Sequence, residues 1–417
     1  MAALKYVREY MSDKKLPVNA TRRQFLAGMT AAGGMAASSW GVALPSTPVL
    51  EPTRIQGATS SALGTRSVHE SLKRLPMYNI ASLTPLESLH GTITPADLHF
   101  ERHHGGVPQI DPANHELLIH GMVDKPLKFS LDDLKRFPSV TRICFLECSG
   151  NFNPRAGENS SPQMLCGMTS QSEWTGVALS TLFREVGVKP KASWFLAEGS
   201  DAAVMTRSIP MDKAWDDALI AYAQNGEAIR PEQGYPMRLV LPGWEGNTSI
   251  KWLRRLELSD AAFMTREETS KYTEPLKDGS VRMFSVVMDA RSIITSPAYP
   301  KTLEKGWHEI RGIAWSGRGR IKMVEVSVDG GKHWQAARLQ GPVLAKAHTR
   351  FSLPWKWNGQ ATEISSRATD ETGYVQPTRR ELINARGAGG QSYHLNPVTT
   401  WIVQADGQII YKAEAWV

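Results

Sequence analysis

The chain has 417 residues, with 48 Lys and Arg against 41 Asp and Glu and a formal net charge of +7. Residues 1–50 carry Lys5, Arg8, Lys14, Lys15, Arg22 and Arg23 against Glu9 and Asp13, which leaves about +3 for the remainder. That balance, without an arginine-rich helix or an aromatic ladder, excludes a nucleic-acid footprint, and three cysteines allow one disulfide at most.

Thr21-Arg22-Arg23-Gln24-Phe25-Leu26 precedes a weakly apolar, glycine-rich run, Ala27 to Ala37, too short to span a bilayer. It reads as a twin-arginine export leader with its linker over residues 1–50, so the chain is expected in the periplasm, exported already folded and without a membrane anchor. No later segment is a long uninterrupted apolar run. Residues 51–76 read as an N-terminal extension.

Residues 77–280 mix strands with short helices, an α+β pattern. Strands are predicted at Glu116 to His120, Arg142 to Leu146, Trp194 to Ala197, Leu219 to Ala223 and Met237 to Leu241. Ser130 is predicted to cap a helix that stops at Pro138, and Ser180 one that stops at Gly187.

Phe100-Glu101-Arg102-His103-His104-Gly105-Gly106 sets cations and imidazoles before a flexible turn. Adjacent histidines point apart on a strand, so an anion grip suits them better than a shared metal ion. Ile143-Cys144-Phe145-Leu146-Glu147-Cys148-Ser149-Gly150-Asn151 ends an apolar strand with a thiol beside a glycine turn. A cysteine in such a run is usually a small core residue, yet a soft sulfur next to open backbone also suits a metal. Cys144 and Cys166 are read as structural. Glu232 to Trp252 sets a loop rich in glycine and hydroxyls between two strands, where backbone amides, Arg238 and Lys251 form either a phosphate cradle or a plain hairpin with solvated charges. Tyr272 stands in a polar segment between the two halves.

Residues 281–417 change texture. Alternating segments at Trp307 to Trp315, Ile321 to Val328, Trp334 to Leu339, Phe351 to Trp357 and Glu363 to Thr369, separated by turns such as Asp329-Gly330-Gly331 and Asn358-Gly359, predict an immunoglobulin-like β-sandwich. Trp315, Trp334, Trp355 and Trp357 read as its packing.

Taken together, Phe-Leu-Glu-Cys-Ser-Gly-Asn, Arg-His-His-Gly-Gly-Val-Pro, Asn225-Gly226-Glu227 and Pro-Gly-Trp-Glu-Gly-Asn-Thr-Ser-Ile-Lys-Trp-Leu resemble the sulfite oxidase family of molybdenum enzymes, from about Leu83 to the C-terminus. Within it the chain is similar to the molybdenum subunits of sulfane dehydrogenases of bacterial thiosulfate oxidation. The resemblance implies a molybdopterin domain followed by a dimerisation domain, a molybdenum-molybdopterin cofactor, and Cys148 as the protein thiolate on the metal. It implies catalytic roles for Arg102, His104, Tyr272 and Arg386, the last contributed by the second domain to an anion pocket. It also places Arg102, His103, His104, Gln233, Arg238, Ser249 and Lys251 against the cofactor.

The activity implied is oxidation of a sulfane sulfur held on a carrier-protein cysteine, with a c-type cytochrome subunit as electron acceptor in a hetero-oligomer built on a homodimer. Oxidation of free sulfite to sulfate and non-catalytic binding are the other readings. The chain carries no Cys-x-x-Cys-His haem attachment motif, so no haem is expected in it. Where many members place an arginine two residues after the Gly-Asn pair, this chain has Asn153, with Arg155 close by. The loss of a guanidinium there is expected to disfavour a small free dianion.

Overall fold

The strand Ser139–Glu147 is the spine of the fold, because its two faces serve different cores. Side chains alternate along it. Cys144 and Leu146 join a cluster with Phe100, Trp174 and Val240, and half-buried Cys148 just beyond the strand packs on that cluster. Phe145 points the other way, into the hydrophobic core shared with the second half of the chain.

This computed structural model describes residues 56–387 and 393–414, so the export leader expected around Arg22 and Arg23 lies outside the described residues. The chain divides into two compact units, Met1–Ser67 and Val68–Val417. Residues 56–67 of the first contain no helix or strand. All that follows concerns the second.

Two five-stranded sheets frame its first part. One runs Glu227–Ala228, Leu219–Gln224, Thr169–Ala178 and Ser139–Glu147, with Arg238–Val240 also paired to Leu219–Gln224. The other runs Leu127–Ser130, Glu116–Gly121, Leu253–Ser259, Trp194–Gly199 and Thr206–Pro210, and is antiparallel except where Leu253–Ser259 meets Glu116–Gly121. A three-stranded sheet of Leu75–Met77, Ala81–Leu83 and Glu101–Arg102 carries the Arg-His-His segment. All five strands predicted in this part are present.

The helix Leu131–Arg136 begins as expected: Ser130 and Asp133 form a reciprocal capping box. The helix Leu179–Val186 does not. Its N-cap is Ala178, without a side-chain bond, and Ser180 lies inside the first turn. Burial of Leu179, Leu182, Phe183 and Val186 along one stripe holds it instead, and Gly187 ends it at φ +69°.

The second part is a sandwich of antiparallel sheets. One contains Arg291–Ser296, Gly306–Trp315, Thr349–Trp357 and Arg338–Gln340; the other contains Gln335–Ala336, Ile321–Ser327, Thr362–Asp370, Thr399–Val403 and Ile409–Tyr411. The segment Trp334 to Leu339, predicted as one strand, is two short strands in different sheets. Trp315, Trp355 and Trp357 are buried, whereas Trp334 is half-exposed with the Arg367 guanidinium 4.3 Å from its ring centre. A helix at Arg379–Arg386, capped by Thr378 and Glu381, interrupts the strands.

The sandwich core continues into the first part: Ile313, Trp315, Phe351 and Trp401 share a cluster with Phe145, Phe152, Leu165 and Cys166. Glu147, 1% exposed, fastens this junction by accepting from Trp315 Nε1 at 2.6 Å and from Arg291 Nη1 at 2.8 Å. Removing one member of such a buried pair costs about 3–5 kcal/mol, so the strand that ends at Cys148 sits on a stiff base.

Candidate active site

Cys148 follows the last residue of that strand. Its N–H donates to Met168 O at 3.0 Å, and its carbonyl accepts from Asn151 N at 2.9 Å, closing a tight turn. The Asn151 side chain locks the turn from inside, donating to Glu147 Oε1 at 3.0 Å and accepting from Met168 N at 2.7 Å. On the other side Gly246 comes so close that a Cβ there would lie 2.9 Å from Glu147 O. Gly246→Ala is expected to push the 246–248 turn off the cysteine turn, costing about 1–3 kcal/mol. Thermal melting measures this directly.

Cys148 lines a cavity between the Arg-His-His segment and the 246–252 loop. Nine of the ten expected site residues line it: Arg102, His103, His104, Cys148, Gln233, Arg238, Ser249, Lys251 and Tyr272. Arg386 does not. It ends the helix Arg379–Arg386, faces Glu274 and Asp289, and donates to His394 O at 2.9 Å. The anion-pocket role expected of it does not fit this placement, because neighbouring carboxylates hold its charge. Neither Asn153 nor Arg155 lines the cavity; both are exposed. The residue at position 153 therefore does not set the charge of the cavity, contrary to the expectation from sequence.

One region of the cavity is built for an anion. Arg238, 3% exposed, donates to Gln233 O at 2.8 Å and Ser249 O at 2.9 Å, and its guanidinium lies 4.9 Å from the Trp174 ring centre. It meets no carboxylate within ion-pair distance among the described residues, and its buried Nε has no partner. Burial pulls it down to about 9. Lys251 donates to Arg102 O, Glu232 O and His103 Nδ1, and burial together with Arg238 lowers it well below the usual lysine range. Two buried cations, one lowered by burial alone and the other by burial and its neighbour, are relieved by an anion placed against them.

His103 bridges this region to Glu101. Because Lys251 donates to its Nδ1 at 2.8 Å, its Nε2–H is the donor to Glu101 Oε2 at 2.7 Å. Gln233 donates to Phe100 O at 2.8 Å, and Ser249 Oγ accepts from Leu241 N at 3.0 Å. These two side chains shape the cradle.

The other region surrounds the sulfur. Tyr272 follows the π-helical turn Glu267–Lys271, and its hydroxyl lies 3.1 Å from His104 Nε2. Burial, and then the proximity of Cys148, raise the phenol well above its ordinary range, so it stays a proton donor. Burial and Arg102 lower His104, which keeps the imidazole neutral. Burial raises the Cys148 thiol against the opposing pull of the Gly150 N–H and Arg102. A bound metal cation reverses that balance and holds the thiolate. Cys144 and Cys166 are free thiols too, but burial pushes them up to about 12 and about 11, so they are inert.

The residues present fit a molybdenum-pterin group. Among the described residues no three His, Cys, Asp or Glu side chains converge as a metal cage. A metal on Cys148 must therefore bring other ligands with it, as a dithiolene-bearing pterin does, and a buried guanidinium and ammonium that meet no carboxylate among the described residues suit that cofactor's phosphate. The cavity also exposes groups the sequence reading passed over: His99, Asp201, Asn247 and Trp252. Asp201 had a usable signal, a polar residue after Gly199 at the end of an apolar strand, the same pattern that marked Cys148.

An α+β domain that offers one cysteine and an anion cradle to a single cavity, followed by a β-sandwich, is the arrangement of a molybdopterin oxidoreductase. Comparisons agree. Residues 104–266 match the oxidoreductase molybdopterin binding domain, and residues 282–400 the Mo-co oxidoreductase dimerisation domain. The crystal structure of the sulfane dehydrogenase SoxCD from Paracoccus pantotrophus superposes with a TM-score of 0.82 at 45% identity, over 86% of this chain and 97% of that one. Mitochondrial sulfite oxidase from Rattus norvegicus is 30% identical over 72% of this chain and 60% of its own length. Nitrate reductase [NADH] from Ulva prolifera is 30% identical over 69% of this chain and 38% of its own length. The chain thus spans less than two thirds of these two curated relatives. It belongs to the sulfite oxidase family of molybdenum enzymes.

Proposed function

We propose that this chain is the molybdenum subunit of an exported sulfane dehydrogenase, oxidising a sulfane sulfur carried on a cysteine of a carrier protein and passing electrons to a c-type cytochrome subunit. The likeness to a sulfane dehydrogenase at 45% identity, against 30% for a sulfite oxidase and a nitrate reductase, supports this reading. So does the charge around the sulfur. Among the described residues, Arg102 is the guanidinium that acts on the Cys148 thiol, and the groups beside it, His104 and Tyr272, are neutral. A small dianion needs a charged donor for each buried oxygen, whereas a sulfur atom on a polypeptide arm brings less charge with it.

When bound, the molybdenum-pterin group supplies a two-electron couple for oxygen-atom transfer to sulfur. Cys148 would hold the metal, and Arg238 with Lys251 the pterin phosphate. Arg102 stabilises negative charge as it develops on the substrate. Tyr272 OH and His104 Nε2, at 3.1 Å, hold a proton between them beside that charge. The cavity walls exclude bulk water and orient the substrate. The second domain, which matches a dimerisation domain, would carry a homodimer within a hetero-oligomer, and Arg22-Arg23 would direct export to the periplasm.

Steady-state assays of the exported holoprotein with its co-purifying cytochrome test the proposal. Turnover is expected to be at least tenfold faster on persulfidated carrier protein than on free sulfite at equal concentration. The reverse preference would make the enzyme a sulfite dehydrogenase with the same residues.

A further inference from the structure

The second domain touches the reaction site through a segment that the sequence did not single out. Tyr393 lies with its ring centre 5.2 Å from that of Tyr272. His394 follows at φ +54°, a left-handed backbone that a non-glycine residue adopts only when its surroundings hold it there. The holding contacts are on both sides of the residue. Its N–H donates to Ser149 O at 2.8 Å, its carbonyl accepts from Arg386, and its Nε2 lies 3.2 Å from Glu245 Oε2.

Glu245 is the hub of a buried set. Arg207 donates to Glu245 Oε1 at 2.7 Å and binds both oxygens of Glu268 at 2.8 and 3.2 Å. Exposures of 1% for Arg207, 2% for Glu245, 0% for Glu268 and 6% for His394 leave no member in solvent. Two carboxylates against one guanidinium require a second cation for neutrality, and an imidazolium at His394 supplies it. Burial pulls His394 down, but the bond and charge of Glu245 more than offset this, so it titrates above its ordinary value.

The geometry closes on the cysteine turn. Glu245 leads directly into Gly246 and Asn247, and Asn247 Nδ2 donates to Ser149 Oγ at 3.2 Å. Ser149 is thus held at its carbonyl by His394 and at its hydroxyl by the loop that His394 anchors through Glu245. On the opposite side Arg207 lies 5.0 Å from the Tyr272 ring centre, so the same set also supports the phenol.

We propose that His394, with Tyr393 beside it, is a positioning residue: the second domain fixes the Cys148 turn and the Tyr272 ring through the contacts of His394 with Ser149 and Glu245. Arg386 serves this arrangement indirectly, by holding the His394 carbonyl. The inference rests on the reading of the cavity as the reaction site.

The test compares His394→Leu and His394→Gln in the holoprotein complex. Glutamine keeps a donor for Glu245 and leucine does not. For His394→Leu, turnover is expected to fall about 10- to 100-fold, the loss typical when a supporting partner of a metal ligand is removed. Molybdenum content should stay within about twofold of wild type, the electron paramagnetic resonance signal of the reduced metal should shift, and amide exchange across 148–151 should quicken. His394→Gln should recover most of the turnover and the wild-type signal.

A leucine variant with unchanged signal, exchange and turnover overturns the proposal. So does equal damage in both variants with an unshifted signal, which would mark a general loss of stability. If the leucine variant does not fold, Tyr393→Ala carries the test, with an unmoved signal and unchanged exchange as the overturning result. Amide exchange is read without any substrate, so failure of the proposed substrate leaves this inference separately testable.

Discussion

Cys148→Ser is expected to abolish turnover, by more than about a hundredfold, while leaving the fold intact. The turn that presents the sulfur is made by backbone and by Asn151, and none of those bonds uses the Cys148 side chain. A half-buried thiol exchanged for a hydroxyl costs about 1 kcal/mol, small against the stability of a chain with so large a shared core. The electronic effect is large: a serine hydroxyl is a far weaker acid than a thiol and does not replace a soft thiolate. The thiolate-to-molybdenum absorption band should vanish while far-ultraviolet circular dichroism is unchanged. An active variant that keeps the band would remove Cys148 from the metal.

Arg238→Met is expected to empty the site by a different route. The guanidinium is buried with no carboxylate partner among the described residues, so its charge is a cost to the apo protein that a bound anion offsets. Methionine keeps much of the volume over Trp174 but gives up the bonds to Gln233 O and Ser249 O. Losing those bonds and relieving the buried charge oppose each other, so the apo protein should change by no more than about 2 kcal/mol. Cofactor affinity should fall by about 2–5 kcal/mol, the penalty for truncating one partner of a buried charged pair, which is at least tenfold in pterin and molybdenum content. A near-unchanged melt of the cofactor-free protein beside a collapse in metal content is the expected signature. Full pterin content in the variant would relocate the phosphate.

Much of this site was legible in the chain because strands announce both faces. Alternation over Ser139–Glu147 placed Cys144 and Cys148 on one side, and the apolar run ending in Ser149-Gly150 marked where a side chain could leave the sheet. The Ser130 cap was readable for the same local reason, and the structure adds Asp133 as its reciprocal partner. Ser180 misled because a stripe of leucine, phenylalanine and valine decided where its helix began, with no side-chain cap at all. The helix Arg379–Arg386 carried a Thr378 and Glu381 capping box, but its eight residues bury only Arg379 and Leu382, so no apolar period betrayed it.

What the sequence withheld was direction across long separations. Arg386 lies in the expected place in the chain, yet Glu274 and Asp289 turn its charge away from the cavity. His394 stands eight residues on and reaches the cysteine turn, meeting Glu245 from 149 positions away. No local pattern encodes such a meeting. It follows from the shared core of the two domains, which only the assembled fold displays.

Molybdenum K-edge X-ray absorption of the purified protein, wild type beside Cys148→Ser, tests the central claim most directly. Molybdenum is expected in the wild type, with a sulfur shell that loses one neighbour in the variant. An identical sulfur shell in both proteins, or a wild type purified from a cofactor-competent host without molybdenum, would contradict it.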